Sequence, residues 1–185
     1  MSERYGTIHH NVMLQQDQLV DSLEQAMLMK DLPSMADIDS SLLLFCKELK
    51  KDFTVSLSGE CADEVFGGYP WLVSEAEGEK FPWIRSIHER EGLLNETWKR
   101  RLDLSGFLED AYEQALNDMP NFGGSEQEIK RQQLFYLNNM YFMQTLLERK
   151  DRMSMATGLE VRVPFADHTI IEYAWNIPRE MQRIG

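Results

Sequence analysis

The sequence predicts an α/β fold that is mostly helical, and three observations carry that expectation. Apolar residues recur at helical spacing along most of the 185 residues. One compact β-type run, residues 53–58 (FTVSLS), directly follows a helical pattern and leads into a loop of small and acidic residues. That is the shape of one α/β unit, with its loop at the carboxyl end of the strand, the edge where open α/β sheets bind ligands. The other strand-like segment, residues 5–14, lies on the far side of a helical pair, and two strands do not make a stable doubly wound sheet. The rest of such a sheet is either missing from the chain or was never part of the fold.

Taken in order, residues 5–14 (YGTIHHNVML) carry β-branched residues with weak alternation, which gives the first strand. Residues 16–30 set Leu19, Val20, Leu23, Ala26 and Met27 on one helical face, and Pro33 ends that helix. The next helix covers 37–50, with Asp37 or Asp39 as its cap and Ile38, Leu42, Phe45, Cys46 and Leu49 as its stripe. Lys47, Lys50 and Lys51 lie near its C-terminus, where the dipole favours cations. After the strand at 53–58, residues 70–82 read as irregular, bracketed by Pro70 and Pro82. Helices are expected at about 83–91, 94–102, 105–118 and 125–149. Ser125 with Glu128 is a capping box for the last, whose interior, LFYLNNMYFMQTLL, is apolar on most faces and predicts burial. PNFGG at 120–124 is the clearest turn.

Composition excludes several classes of function. The hydrophobic fraction of 43% and charged fraction of 27% are those of a folded soluble domain. Thirty-one acids against nineteen bases leave a net charge of −12, which argues against nucleic acid as a partner, since phosphate backbones need a basic face, and against adhesion to anionic membranes. No apolar run approaches the roughly 18–20 residues of a membrane span. The start, MSERYGTIHH, has no basic segment followed by an apolar one. Cys46 and Cys61 form no CxxC pair and fit a reducing, cytoplasmic setting. Eleven methionines and nine phenylalanines belong in a core or on a surface covered by other parts of a larger protein. If the rest of the sheet is missing from the chain, the strand edges and apolar faces it would cover favour self-association as a homo-oligomer.

Two stretches concentrate chemistry. The first is Ser58-Gly59-Glu60-Cys61-Ala62-Asp63-Glu64, then Gly67-Gly68-Tyr69. Ser58 and Gly59 end a strand, and Gly59 lets a ligand approach the main chain. Glu60 and Asp63 are three apart, so on a first helical turn they share a face, and such carboxylates hold Mg²⁺ against phosphate oxygens or accept a proton. The plainer reading is a strand-to-helix turn whose acids stabilise a helix N-terminus. The second stretch is Arg149-Lys150-Asp151-Arg152-Met153-Ser154-Met155-Ala156, then Gly158 to Phe165. Its bases either meet phosphates or simply close a helix, with Asp151 pinning one of them. Arg162, between valines, reads as a buried arginine paired to Glu160 or Glu64. His9 and His10 are adjacent and would face opposite ways on a strand, which leaves them poorly placed to share a metal. Trp71, Trp83 and Trp98 read as packing anchors.

Together the two stretches carry a resemblance. SGECADEVFGGY, residues 58–69, resembles the SGEGADE-FGGY signature of the glutamine-dependent asparagine synthetases. KDRMSMATGLEVRVPFADH, residues 150–168, resembles the DRMSMA-GLEVRVPFLDH signature of the same family, and TIHHNVML resembles its segment after the nucleotide-binding loop. The resemblance covers nearly the whole chain. It implies that residues 1–185 are a truncated piece of an ATP-pyrophosphatase-like (adenine nucleotide alpha hydrolase-like) parallel-sheet domain. The family's glutaminase domain, its SGG-DS loop for ATP and its later segment with a pyrophosphate-contacting lysine have no counterpart here, so the piece alone is expected to be inactive.

The implied parent reaction uses ATP and Mg²⁺ to activate aspartate as β-aspartyl-AMP. Ammonia from glutamine, released by the glutaminase domain, then gives asparagine, AMP and pyrophosphate. Residue by residue, the resemblance makes Ser58 and Gly59 the ATP-binding pair, Glu60 the catalytic glutamate, and Asp63 an acid on the Mg²⁺–pyrophosphate and a candidate Mg²⁺ ligand. Cys61 stands where many members have glycine, and a small buried side chain beneath the loop suffices to explain it. Two other readings are a β-lactam synthetase-like enzyme that adenylates another carboxylate, and a helical interaction module that keeps the motif without the activity.

Overall fold

In the computed structural model the described residues are 2–32, 36–73, 80–84, 87–177 and 181. They fall into two compact units, residues 1–59 with 145–164, and residues 60–144 with 165–185. The chain is mostly helical with a small parallel sheet.

The first unit holds α1 (Ser2–Tyr5), α2 (Gln16–Asp21), α3 (Leu23–Lys30), α4 (Ala36–Lys50), β1 (Val55–Leu57), most of α11 (Met143–Met155) and β2 (Glu160–Arg162). Residues 5–14 are not the expected strand. α1 takes in Tyr5, the Thr7 amide donates to the Ser2 carbonyl at 3.1 Å, and Ile8 and Met13 stand exposed without a sheet to pack on. The helix expected at 16–30 breaks at Ser22. Its hydroxyl donates back to the Leu19 carbonyl at 3.0 Å, a local bond that competes with helix continuation, and its backbone closes α2 and opens α3. Of the face expected there, Ala26 is buried while Val20, Leu23 and Met27 are exposed. α4 begins at Ala36, so Asp37 and Asp39 lie inside the helix and neither caps it. Its stripe meets the expectation in part: Cys46 is buried and Phe45 is exposed. Ala26, Leu43 and Met153, with Leu42 against them, form this unit's core.

The strand expected at 53–58 is β1. Its partner is β2, which pairs with it in parallel, Val55 opposite Glu160 and Leu57 opposite Arg162. The pairing is extended at both ends by Glu160 N–H to the Thr54 carbonyl at 3.0 Å and Ser58 N–H to the Arg162 carbonyl at 2.9 Å.

The second unit holds α5 (Ala62–Phe66), α6 (Pro70–Val73), α7 (Ile87–Gly92), α8 (Glu96–Leu102), α9 (Leu104–Asp118), α10 (Glu126–Leu137), a π-helical turn (Asn138–Phe142), a 3₁₀ turn (Pro164–Ala166) that begins in the first unit, and α12 (His168–Trp175). The Ser125–Glu128 capping box forms as expected, with Ser125 N–H to Glu128 Oε2 at 2.7 Å. The helix expected at 125–149 is interrupted by the π-helical turn. There the Met143 amide donates five residues back, to the Asn138 carbonyl. Its face is also less buried than expected, with Leu137, Asn138, Asn139, Met143 and Leu146 inside but Met140 and Tyr141 exposed. Phe81, Ala115 and Leu137 are the core, with Trp83, Ile84 and Leu108 packed against them. Trp71 stacks on Tyr69 at 4.3 Å and Trp83 on Phe142 at 5.1 Å, as anchors should, but Trp98 is exposed, its ring met by the Arg101 guanidinium at 5.9 Å.

Candidate functional site

Ser58 is the first residue past β1, and its amide completes the strand pairing. Gly59 follows with no positive φ, and a Cβ built on it would meet nothing within 4 Å. Backbone conformation therefore does not require glycine there. Open space beside an exposed main chain is what a close-approaching ligand requires. These two residues belong to the first unit, and Glu60 opens the second.

Glu60 is half-buried and precedes α5. Cys61, the residue before the helix, has φ 71° and ψ −5°, in the left-handed region that L side chains avoid and glycine occupies freely. That turn corrects the spacing argument. Glu60 lies outside α5, so Glu60 and Asp63 do not share a helical turn. Cys61 is buried, as expected for a small side chain under the loop. Burial, then the charges of Glu64 and Glu60, push its thiol up to about 12, so it is neutral and unreactive near neutral pH.

Asp63 is exposed in the first turn of α5, and its backbone carbonyl accepts the amides of Gly67 at 3.0 Å and Gly68 at 2.9 Å. The two glycines serve different ends. Gly67 closes the helix at φ 77°, whereas Gly68 leaves room for Asp63, because a Cβ at 68 would run into that carboxylate. Glu64 points the other way and is 1% exposed. The Tyr69 hydroxyl donates to its carboxylate, while the side-chain amides of Asn138 and Asn139 donate to its backbone carbonyl at 3.3 and 3.4 Å. Burial, then the hydrogen bond and charge of Glu64, raise the Tyr69 hydroxyl well above its ordinary value.

Sequence reasoning did not single out Glu64, Tyr69 or the two asparagines as site residues. A signal was present: two adjacent asparagines inside an apolar run need buried partners.

The second motif, in the first unit from Thr145 to Pro164, closes a helix and starts a strand. Met153 enters the core, Gly158 turns the chain at φ 74°, and β2 follows. Arg152 pairs with Asp31 and, at 3.3 Å, with Glu148. Acids of α11 and of the end of α3 thus hold this base, and not Asp151. Arg162 is exposed rather than buried and pairs with Glu160 at 2.8 Å. His9 is exposed and bonds to Asn11 at 2.8 Å.

Among the described residues no group of three His, Cys, Asp or Glu is placed to hold a metal ion by itself, and no helix is long and apolar enough to cross a membrane. A carboxylate such as Asp63 has the hard oxygen donors that Mg²⁺ prefers, and Mg²⁺ is ordinarily bound by one or two carboxylates together with phosphate oxygens, so the residues present fit that ion in company with a nucleotide.

Comparison with known proteins agrees with the motifs. The chain is 56% identical over 183 residues, 98% of its length, to asparagine synthetase [glutamine-hydrolyzing] 3 of Bacillus subtilis, of which it covers 30%. It is 31% identical over 126 residues, 68% of its length, to a putative asparagine synthetase [glutamine-hydrolyzing] 1 of Methanocaldococcus jannaschii, of which it covers 15%. It is 24% identical over 96% of its length to the asparagine synthetase [glutamine-hydrolyzing] of Rattus norvegicus, of which it covers 23%. The chain thus spans less than a third of the length of the curated relatives it matches. The asparagine synthase family model matches residues 1–185, and the chain belongs to that family.

Proposed function

We propose that the chain is part of the synthetase domain of a glutamine-dependent asparagine synthetase, a longer protein that also carries a glutaminase domain. In this reading the domain has the adenine nucleotide alpha hydrolase-like fold. The protein activates the aspartate side chain with ATP to β-aspartyl-AMP and lets glutamine-derived ammonia displace AMP, giving asparagine, AMP and pyrophosphate. The observation that carries the reading is the family motif at residues 58–69 emerging from the carboxyl end of a parallel strand, the ligand-binding edge of α/β sheets.

Each residue has a task that follows from its place. Ser58 and Gly59 hold ATP where the main chain leaves the strand, and the space beside Gly59 admits it. Attack of one carboxylate on a phosphate brings anions together, and Mg²⁺ supplies the countercharge for that step. Asp63, an exposed carboxylate, would hold that ion. In the second half-reaction ammonia becomes ammonium-like as it bonds to the carbonyl carbon and must lose a proton. Glu60, half-buried at the turn before α5, accepts it. Cys61 takes no part, since its thiol stays protonated.

The test is aspartate-dependent exchange of labelled pyrophosphate into ATP by the full-length protein, which reports adenylation without glutamine. Exchange that needs aspartate and Mg²⁺ is expected, and exchange with other carboxylates but not with aspartate would overturn the substrate assignment.

A further inference from the structure

Four polar side chains outside the roles just described meet in the second unit. Glu64 is a buried carboxylate, and the Tyr69 hydroxyl donates to it. Its backbone carbonyl accepts from the side-chain amides of Asn138 at 3.3 Å and Asn139 at 3.4 Å. Asn139 also donates to the Phe135 carbonyl at 2.8 Å. Both asparagines sit in the π-helical turn, whose wider spacing lets consecutive residues face inward: Leu137, Asn138 and Asn139 are all buried. The same turn supplies Phe142, which meets the Tyr69 ring edge-on at 5.4 Å. One irregular turn therefore grips both ends of the segment from α5 to Tyr69.

The arrangement is not the most stable filling of that space. A buried carboxylate carries a desolvation cost, and the Oδ1 atoms of Asn138 and Asn139 are buried without a hydrogen-bond partner. Apolar side chains would avoid those costs but would remove both side-chain donors from the Glu64 carbonyl. What the polar network provides is direction, because three of its four bonds end on Glu64, the residue next to Asp63 on a helix of five residues. Gly68, between the helix and Tyr69, gives up its Cβ to the Asp63 carboxylate.

We infer that Glu64, Tyr69, Asn138 and Asn139 are positioning residues: a buried tether that fixes the orientation of α5 and so aims the Asp63 carboxylate. The consequence for Mg²⁺ rests on the reading of Asp63 given above, whereas the tether itself does not.

The experiment uses the full-length protein and compares Tyr69→Phe, Asn139→Ala, Asp63→Asn and Ala115→Gly. The last loosens the α9 core and serves as a control for lost stability alone. Two quantities are read: the Mg²⁺ concentration for half-maximal pyrophosphate exchange, and amide hydrogen exchange over residues 61–69. Tyr69→Phe and Asn139→Ala should raise the Mg²⁺ requirement about five- to tenfold, the size of one ordinary hydrogen bond and so a lower bound for these variants, with the rate recovered at high Mg²⁺. Both should also speed hydrogen exchange over 61–69, and Ala115→Gly should do neither. If the two tether variants behave like Ala115→Gly, the inference is wrong. If Asp63→Asn leaves the Mg²⁺ requirement unchanged, the reading of Asp63 is wrong. Hydrogen exchange then decides the tether alone: faster exchange in Tyr69→Phe supports it, and parent-like exchange overturns it.

Discussion

Replacing Cys61 by glycine tests whether the left-handed backbone at the head of α5 is what the motif demands. Cys61 has φ 71° and a side chain that is 1% exposed. A residue with a Cβ held in this region costs about 1–2 kcal/mol, which glycine removes. Against that stands the lost burial of a methylene and a sulfur, about 1.5 kcal/mol if each counts as one methylene-sized group. Glycine also has more freedom to lose on folding, a further 0.5–1 kcal/mol or about that. The sum places Cys61→Gly about 0–1.5 kcal/mol below the parent. Cys61→Ala keeps the strained backbone and loses the sulfur, about 0.8 kcal/mol. The two variants should therefore be equal to within about 0.8 kcal/mol, whereas at an ordinary helical position glycine is about 1 kcal/mol worse than alanine. Cys61→Val, β-branched in a region such residues avoid, should be the least stable of the three. Urea unfolding followed by tryptophan fluorescence gives the midpoints, compared at constant slope. A glycine variant less stable than the alanine variant by about 1 kcal/mol or more would refute the strain argument.

Other perturbations have equally definite outcomes. Gly68→Ala puts a methyl group against the exposed Asp63 carboxylate, which can swing aside, so it should cost little in chemical denaturation and instead raise the Mg²⁺ requirement of pyrophosphate exchange if Asp63 serves Mg²⁺ as proposed; an unchanged requirement counts against that role. On the proposed role of Asp63, Asp63→Asn removes a charge that would hold Mg²⁺, so its defect should lie in ATP and pyrophosphate handling and be partly relieved by added Mg²⁺, as a titration of the exchange rate would reveal. Acid should weaken two helix starts. Asp167 accepts the side chain and amide of Thr169, and Glu128 accepts the side chain and amide of Ser125, and these bonds hold both carboxyls below the usual range. A lowered folded-state value means the stabilisation is full above the unfolded value, near pH 4, and is lost as pH falls through the folded one. Melting temperature should fall below about pH 4 in the parent and less steeply in Asp167→Asn, and identical pH profiles would remove the assignment.

Long periodic segments were legible in the sequence. α9 was expected within a residue at each end and α10 at its start, because their apolar spacing and the Ser125–Glu128 box act locally; the π-helical turn that ends α10 within the expected 125–149 helix was not. β2 was not. Three residues, Glu160, Val161 and Arg162, hold one apolar side chain, and only the parallel partner β1 makes them a strand. Residues 5–14 erred the other way, since β-branched residues favour a strand only where a neighbour offers a ladder. The motif singled out Ser58 to Asp63, which the structure sets in the turn after β1, and marked Cys61 as standing where many members have glycine, for which its positive φ gives a physical reason. The paired asparagines in an apolar run announce a need for buried partners, but their contacts with Glu64 join residues 74 and 75 positions apart, so no local pattern names that partner. Helix α12, eight residues capped by Asp167, was missed because it lies within and just after the second motif, read there for its chemistry.

Glu60 carries the central claim, and asparagine formation by the full-length protein with Glu60→Gln is its most direct test. Glutamine keeps the size and hydrogen-bonding capacity of glutamate but cannot take up the proton lost by ammonia. Synthesis is expected to fall by about 10²–10⁴-fold, with the melting temperature little changed. Near-parent asparagine formation by Glu60→Gln would contradict the account and leave Glu60 as a residue of the turn before α5.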